Sequence, residues 1–571
     1  MSSGPQMNEA LYYQVGEPIP TGEHSVSVSL PTWKDTMNYK LHEPETIRRM
    51  QTGYPRFFIP LIVQKLAEQL EQAFALPSER SLLVCSASAA DACRTFLLKK
   101  GASARVVALR SLDTQSGSEI SMVVFPVDLF PDAFVFWQHT GFGISSRFAQ
   151  RYLSLLERIG NPRLLTLGSE EPLYSSTKDT HDYYASSKRI LRSRVASFIT
   201  HNCECTIHQG PKSPCVPVNE NDVFLYPSGM GAIWSAHQLL LKAFGARKSI
   251  CFGFLYVDTL KVLEKWGPGC QFYPDGDEAS IDSLEAMLSS QRGSSSDPPI
   301  LALFTEFPSN PLLRSVDLRR LCALADKYGF PIVIDDTVGN FVNVDVLPFV
   351  DIVASSLTKI FSGCANTMGG SLTLNPLGKH YNTLKYELQQ TWKDTYFEED
   401  ADVMERNSRT FCDRIAQIDH NAEVICEFLR SCTRIVSQVY YPKWQTRELY
   451  DACRSTFADG RKGGFGGLFS IVFSSPAAAH SFFDALHCAK GPSLGTNFTL
   501  ACPYALYGHF DELEWAEKHG VPRDIVRVSI GMEETDFLLD IFAVAVRAAE
   551  EAHALNDNAG FETGSSSCAK L

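Results

Sequence analysis

Two rhythms of apolar and polar residues alternate through the middle of the chain. Val223–Tyr226 is a continuous apolar run, broken by Pro227-Ser228-Gly229-Met230-Gly231. Ala232, Ala236, Leu239, Leu240 and Ala243 then recur at helical spacing until Gly245. Further short β-rich runs lie at Ser249–Phe252 and at 300–304, 331–334 and 350–354. Helical periods intervene at 281–290 and at 317–328, the latter closed by Gly329. Repeated strand–loop–helix units predict an α/β fold whose sheet is mostly parallel and joined by helical crossovers.

The pattern divides the chain into four parts. Residues 1–170 mix α and β signals, 171–385 carry the repeated units, 386–555 place helices before short strands, and 556–571 are tail-like. Ser/Gly/Pro-rich stretches at 209–217 and 293–299 read as surface loops. The N-terminal part echoes the middle one. A helical stretch at 62–74 precedes an apolar run ending Cys85-Ser86-Ala87, much as a basic helix at 188–198 precedes the strand ending at Ser228-Gly229-Met230. A decayed duplication and two unrelated strand–helix units both account for this.

Composition narrows the function. The chain has 571 residues, 44% of them hydrophobic and 20% charged, which is enough apolar material for a large core. A net charge of −13 argues against nucleic acid as a main partner. Sixteen scattered cysteines, often in apolar runs as at Cys251, Cys322 and Cys426, suit a reducing compartment better than a disulfide scaffold. The first fifteen residues lack a secretory pattern, and no uncharged apolar stretch reaches membrane-spanning length. The expectation is a soluble intracellular protein, cytoplasmic or peroxisomal. The chain ends Ala569-Lys570-Leu571, close to the Ser-Lys-Leu signal read by a peroxisomal import receptor.

Ligands of parallel sheets bind beyond the carboxyl ends of the strands. Those ends here present Asn310, Asp335, Ser356, Thr358 and Lys359. The strand, glycine turn and helix start around Ser228, Gly229 and Met230 form a candidate anion site. The set suits pyridoxal phosphate. A lysine can join the aldehyde, a carboxylate can keep the pyridine nitrogen protonated, and hydroxyls with backbone N–H groups can hold the phosphate. An amide can donate to the ring oxygen, and Tyr256 is placed to stack on the ring. Each residue alone has an ordinary structural explanation; their joint order at predicted strand ends points to the cofactor. Two metal alternatives are weaker. Asp335-Asp336 lacks a second acidic cluster to complete a magnesium site. His201, Cys203, Cys205 and His208 are spaced more tightly than zinc-finger ligands, and read as a loop with incidental thiols. No metal is expected.

These motifs together resemble the PLP-dependent Cys/Met metabolism family, and within it the fungal cystathionine gamma-synthases. The matching segments are Ser228-Gly229-Met230, Glu306-Phe307-Pro308-Ser309-Asn310-Pro311, Asp335-Asp336-Thr337 and Ser356-Leu357-Thr358-Lys359. The middle residue of the family's Asp-Asn-Thr motif is Asp336 here. Further matches are Ser493-Leu494-Gly495 and Arg527-Val528-Ser529-Ile530-Gly531-Met532-Glu533. Residues 24–35 and Gly53-Tyr54-Pro55-Arg56-Phe57-Phe58 resemble the fungal branch.

The resemblance implies the type I fold of PLP enzymes, with a large sheet domain, a smaller C-terminal α+β domain and an N-terminal extension. It implies Lys359 as the catalytic, cofactor-bearing lysine and Asp335 as the pyridine partner. Ser228, Gly229, Met230, Asn310, Ser356 and Thr358 would complete the cofactor site. Tyr256 would stack and help position groups, and Ser493 and Arg527 would hold the substrate carboxylate. The implied reaction replaces the γ-substituent of an O-acyl-L-homoserine, with L-cysteine as acceptor and L-cystathionine as product. Two readings stay beside it: a carbon nucleophile in specialised metabolism, and an inactive fold with a binding or regulatory role. Shared active sites imply a homo-oligomer, a dimer or a dimer of dimers. One departure stands out. The family's aromatic-x-Arg motif, which reaches the phosphate of the neighbouring subunit, is expected before Ser228, but Glu170-Glu171-Pro172-Leu173-Tyr174-Ser175-Ser176 has no arginine. Arg56 replaces it only if the N-terminal region folds toward the site.

Overall fold

A computed structural model describes residues 13–101, 103–110, 119–166, 178–200, 218–291, 298–457 and 459–565. The Tyr174 window, the His201–His208 cluster and the C-terminal tripeptide lie outside the described residues.

After an N-terminal arm, the chain builds a three-stranded antiparallel sheet from β1 (Glu79–Val84), β2 (Arg105–Arg110) and β3 (Glu119–Pro126), in the order β1-β3-β2. Helices α1 (Leu61–Phe74), α2 (Ala87–Leu98), α3 (Phe130–Thr140) and α4 (Ser146–Ile159) accompany it. Ser86 caps α2 through its hydroxyl, as Ser228 caps the first helix of the central domain. A strand, a serine cap and a helix thus recur, although every pairing in the N-terminal sheet is antiparallel. Helix α5 (Lys178–Ile199) then leads to the central domain.

Seven strands form the central sheet: β4 (Val223–Tyr226), β5 (Ser249–Phe252), β6 (Cys270–Tyr273), β7 (Leu303–Glu306), β8 (Ile332–Asp335), β9 (Ile352–Ser355) and β10 (Gly370–Leu374). Their order is β4-β10-β9-β8-β7-β5-β6, and β10 alone runs against the rest. Strands β7, β8 and β9 end one or two residues beyond the apolar runs that predict them. The ladder pairs Asp335 with both Glu306 and Ala354, so neighbouring backbone holds polar end residues in strand geometry. Helix α6 (Gly229–Phe244) follows β4, α7 (Val257–Lys265) follows β5, and α8 (Leu318–Tyr328) precedes β8. Asp317 caps α8, and Gly329 closes it in the left-handed conformation.

Both faces of this sheet are buried, which explains the continuous apolar strands. Side chains alternate across a strand. Val223, Leu225, Ile332 and Ile334 join a core shared with the C-terminal domain. Phe224, Tyr226, Val333 and Ile352 join a second core that also holds Leu66, Val123, Phe136 and Phe148 of the N-terminal region. The N-terminal domain is therefore a layer of the main body, sharing its core with the central sheet. The C-terminal sheet comprises β11 (Val436–Tyr440), β12 (Leu468–Phe473), β13 (Ala489–Lys490), β14 (Leu500–Pro503) and β15 (Val526–Ser529), in the order β11-β12-β15-β14-β13. Helices α9 (Phe411–Ser431), α10 (Pro476–Ala485) and α11 (Thr535–Ser565) pack with it. The last of these continues past Asn556, where the composition turns tail-like. Among the described residues no helix is long and apolar enough to cross a membrane, and the twelve described cysteines are unpaired with one another.

The N-terminal layer meets the central domain closely at Gly141, which ends α3 with φ +68. A Cβ there would lie 2.2 Å from Ser228 Oγ and 2.7 Å from the Gly231 nitrogen. Gly160, also at φ +68, has nothing within 4 Å of its Cβ position. Both Gly→Ala changes meet the left-handed backbone penalty of about 1 kcal/mol. Gly141→Ala adds an overpacking cost of about 1–3 kcal/mol. Thermal unfolding should therefore rank wild type above Gly160→Ala and Gly160→Ala above Gly141→Ala; equal melting temperatures for the two variants would show that this contact is loose.

Candidate active site

Ser228, Gly229, Met230, Tyr256, Asn310, Asp335, Ser356, Thr358, Lys359, Ser493 and Arg527 all line one cavity. Most come from the carboxyl ends of β4, β5, β7, β8 and β9. Ser493 and Arg527 are brought from the C-terminal domain, the latter on β15. Two further lining residues, Tyr54 and Arg56, belong to the N-terminal arm.

One end of the cavity is built for an anion. Ser228 Oγ accepts from the Gly231 N–H at 3.0 Å and donates to the Gly141 carbonyl at 3.0 Å. The serine side chain is thus spent on shaping the turn, and the N–H groups of Gly229 and Met230 at the start of α6 supply the anion site. A Cβ on Gly229 would come within 2.7 Å of Ser356 Cβ, so only glycine lets the two loops meet. Thr358 contributes less than the motif suggests: its hydroxyl donates to the Gly369 carbonyl at 3.2 Å and accepts from the Gly369 N–H at 3.1 Å. Arg56 is 4% exposed. Its Nη2 donates to Asp258 Oδ2 at 3.3 Å, its Nη1 lies 3.5 Å from the Trp137 carbonyl, and its buried Nε has no partner among the described residues. The condition for Arg56 to replace the missing arginine is met by its position.

Acids gather at the middle of the cavity. Asp335 Oδ1 accepts from the Thr337 N–H at 2.9 Å. Burial raises its pKa, against the pull of the Thr337 hydrogen bonds and the charge of Lys359. Glu306 accepts from the N–H groups of Tyr256 at 2.6 Å and Asn310 at 3.0 Å, fixing both loops. Burial and the charge of Asp335 push it well above the carboxylate range. Tyr256 Oη donates to Asp258 Oδ2 at 3.1 Å, and burial with that neighbouring carboxylate keeps the phenol protonated. Tyr256 therefore offers the cavity a neutral aromatic wall.

Lys359 Nζ donates to Tyr54 Oη at 2.8 Å and to Ser493 Oγ at 2.9 Å, and lies 4.4 Å from the Tyr54 ring centre. Ser493 has φ +116, a strained value for a residue with a side chain. That backbone aims its hydroxyl at Lys359 and its carbonyl at Arg527 Nη2, 2.7 Å away. Arg527 Nη1 donates to Asn310 Oδ1 at 2.9 Å, and the guanidinium lies 4.9 Å from the Tyr504 ring centre. These partners are all neutral, so the cation is held in place with its charge uncompensated by them. Such an arginine is preorganised for a carboxylate.

The residues fit pyridoxal phosphate on three observations. The unpartnered Arg56 Nε and the α6 N-terminus offer donors where a phosphate would sit. Asp335, at the cavity wall beside Glu306, offers an acceptor for a protonated ring nitrogen. Asn310 spends its oxygen on Arg527, which leaves its amide N–H groups for a ring oxygen. Tyr54, Glu306, Asp258 and Tyr504 were not singled out from the sequence as site residues. Tyr54-Pro55-Arg56 does carry the aromatic-x-Arg signal, but far upstream of its usual place. Among the described residues no group of three His, Cys, Asp or Glu side chains could hold a metal.

Asp336 is 2% exposed, its Oδ1 has no partner among the described residues, and burial followed by the charge of Asp335 pushes its pKa up to about 8. A carboxyl raised on folding gives stability that is complete below pH 4 and lost as pH rises toward 8. Asp336→Asn should therefore stabilise the protein by about 1–3 kcal/mol at pH 7, with the gain shrinking to zero near pH 4. Chemical denaturation at several pH values checks this; a gain independent of pH would refute the assignment.

Comparison with known proteins agrees with the geometry. The family described as "Cys/Met metabolism PLP-dependent enzyme" matches residues 218–546, and "Fungal trans-sulfuration enzyme, N-terminal domain" matches 62–145. The chain is 46% identical to the cystathionine gamma-synthase-like enzyme iboG1 of Amanita muscaria, over 95% of this chain and 99% of that one. It is 37% identical to the cystathionine gamma-synthase of Neurospora crassa, over 94% and 99% of the two chains. Cystathionine gamma-synthase from Xanthomonas oryzae pv. oryzae, solved in complex with cystathionine, shares the fold with a TM-score of 0.51 and 23% identity, over 68% of this chain and 90% of that one. The fold is that of type I PLP enzymes and the cofactor is pyridoxal phosphate. The chain belongs to the PLP-dependent enzymes of Cys/Met metabolism, in their fungal trans-sulfuration branch.

Proposed function

We propose that the protein replaces the γ-substituent of an O-acyl-L-homoserine, with L-cysteine as acceptor and L-cystathionine as product. The observation that carries this reading is the pairing of Lys359 with Arg527 through one strained residue, Ser493. A carboxylate gripped by Arg527 leaves the amino acid's α-carbon facing the lysine amine. When bound, the cofactor supplies an electron-withdrawing ring over which carbanion charge at that carbon is spread.

The chain's own groups do the rest. Asp335 would hold the ring nitrogen, Tyr256 would cover one ring face, and Asn310 would donate to the ring oxygen. The backbone at Gly229 and Met230, with Ser356, would hold the phosphate. Arg527 binds and orients the substrate carboxylate. Lys359 Nζ takes the proton from the α-carbon and a second proton leaves the β-carbon; that electron pair expels the acyloxy group from the γ-carbon as a carboxylate, the acceptor's sulfur adds there as its own proton is lost, and protons return to the β- and then the α-carbon. Tyr54 and Ser493 fix that amine between transfers.

A second reading keeps the donor and replaces cysteine by a carbon nucleophile. Room for it comes from the greater identity to the Amanita muscaria enzymes, 46% and 43%, which are described only as "cystathionine gamma-synthase-like", than to the Neurospora crassa synthase at 37%. Incubation with pyridoxal phosphate, O-acetyl-L-homoserine and L-cysteine, read by mass spectrometry, separates the two. Cystathionine is the expected product. Formation of 2-oxobutanoate and ammonia alone would overturn cysteine as acceptor and favour the second reading. In the productive reaction, Lys359→Ala should lower kcat by at least about 1,000-fold. Arg527→Lys should lower kcat/KM by about 10–100-fold, mainly through KM, because one charged centre replaces a fixed planar pair of donors.

A further inference from the structure

We propose that a chamber next to the active-site cavity receives a carboxylate carried by the group that joins or leaves the γ-carbon, and that Lys40 is its anchor. The inference rests on the γ-replacement reading and names the substrate chemistry of that same site.

The chamber measures about 480 Å³, against about 120 Å³ for the cavity that holds Lys359. The two share Tyr54, Phe57, Pro492, Tyr507 and Gly508 in their walls. They therefore meet at the tyrosine whose hydroxyl lies 2.8 Å from Lys359 Nζ. The other walls of the chamber include the end of the helix Trp33–Lys40 in the N-terminal arm, part of α3 and part of α7. The same arm is tied to the shared wall, where Ser27 Oγ donates to the Pro492 carbonyl at 2.6 Å. An acceptor as small as sulfide would leave this space unused.

Most charges in the chamber are already spent on one another. Asp258 pairs with Arg56 at 3.3 Å. Glu512 pairs with Lys261 and with His509, each at 3.1 Å. Lys40 is built differently. Its Nζ donates to the Tyr507 carbonyl at 3.3 Å and lies 5.8 Å from the Phe510 ring centre. Both partners are neutral. Burial lowers the pKa of the half-buried amine, and the charge of Asp511, which is exposed, raises it in part. The cation is thus fixed by groups that do not neutralise it, as Arg527 is on the other side of the active-site cavity. A carboxylate reaching Lys40 would gain more than at an open surface, because the amine is partly out of water and already oriented.

The donor's own carboxylate is taken by Arg527 in the proposed reaction. A second cation beyond Tyr54 has nothing to meet on a homoserine ester of a monocarboxylic acid. Two sources would supply a further carboxylate: an amino-acid acceptor such as L-cysteine, or the acyl group of a dicarboxylic ester.

The test compares partners that differ by one carboxylate, using the full-length holoenzyme. L-cysteine is set against cysteamine as acceptor, and O-succinyl- against O-acetyl-L-homoserine as donor. For each, kcat/KM is measured by mass spectrometry of the products in the wild type, Lys40→Met and Lys40→Arg. Lys40→Met keeps the apolar stem and removes the charge. In it the cysteine-to-cysteamine ratio, the succinyl-to-acetyl ratio or both should fall by about 10–100-fold, the loss of one charge-assisted contact, and Lys40→Arg should restore most of it. A ratio taken within one variant is independent of how much of that protein is folded. A fall in the acceptor ratio alone assigns the carboxylate to the acceptor, and a fall in the donor ratio alone assigns it to the acyl group. Two unmoved ratios overturn the chamber as a carboxylate site while leaving γ-replacement intact. Lys40→Arg behaving as Lys40→Met overturns it as well, since charge would then not be what the chamber reads. A wild type that forms neither a replacement product nor 2-oxobutanoate from any of these pairs overturns the γ-replacement reading itself, and the inference with it.

Discussion

Asp258 is the point on which the rest of the site depends. Its carboxyl lies out of water, where burial disfavours the charged form and only well-placed donors restore it. Three donors from three parts of the chain converge there: Arg56 from the arm, Gln138 from the N-terminal domain and Tyr256 from the loop after β5. Removing one partner of a buried ion pair typically costs about 3–5 kcal/mol, far more than any surface pair in this molecule could supply. The positions of Tyr256, Arg56 and the N-terminal layer are therefore set by one shared constraint.

A second constraint is electrostatic. Glu306, Asp335 and Asp336 lie close together, and burial raises all three. Asp335 alone faces both the cavity and the charge of Lys359, which favours its ionised form. Its two neighbours are pushed further, Glu306 and Asp336 each feeling Asp335 as a like charge. Neighbouring carboxyls in different surroundings can do different work: Glu306 orders two loops through the backbone N–H groups of Tyr256 and Asn310, and Asp335 faces the cavity beside Lys359.

Much of this was legible in the sequence because it depends on local order. Lys359, Asp335 and Asn310 stand at strand ends, and short apolar runs with glycine turns reveal strand ends. The turn at Ser228-Gly229-Met230 was legible for the same reason, although the serine hydroxyl proved to be a helix cap. The strands themselves run slightly past their apolar cores because pairing with neighbours extends them, which no single run of residues records. Tyr54 escaped assignment and Arg56 was assigned only on a condition, because their meaning lies in contacts made hundreds of positions away. The buried face of the N-terminal domain was equally hidden: its apolar residues predict a core, but not that this core is shared with the central sheet.

The link between the first residues of the arm and the last strands of the chain has a consequence for biosynthesis. Ser27 meets Pro492 across 465 positions, and Tyr54 meets Lys359 across 305. A ribosome releases the arm and the N-terminal layer long before the partners of either exist, and contacts of such separation close late. Until then Arg56 has no carboxylate and the apolar face of the N-terminal layer has no sheet to cover. The nascent chain must be kept from other surfaces through most of its translation, and Lys359 meets Tyr54 only near the end of folding.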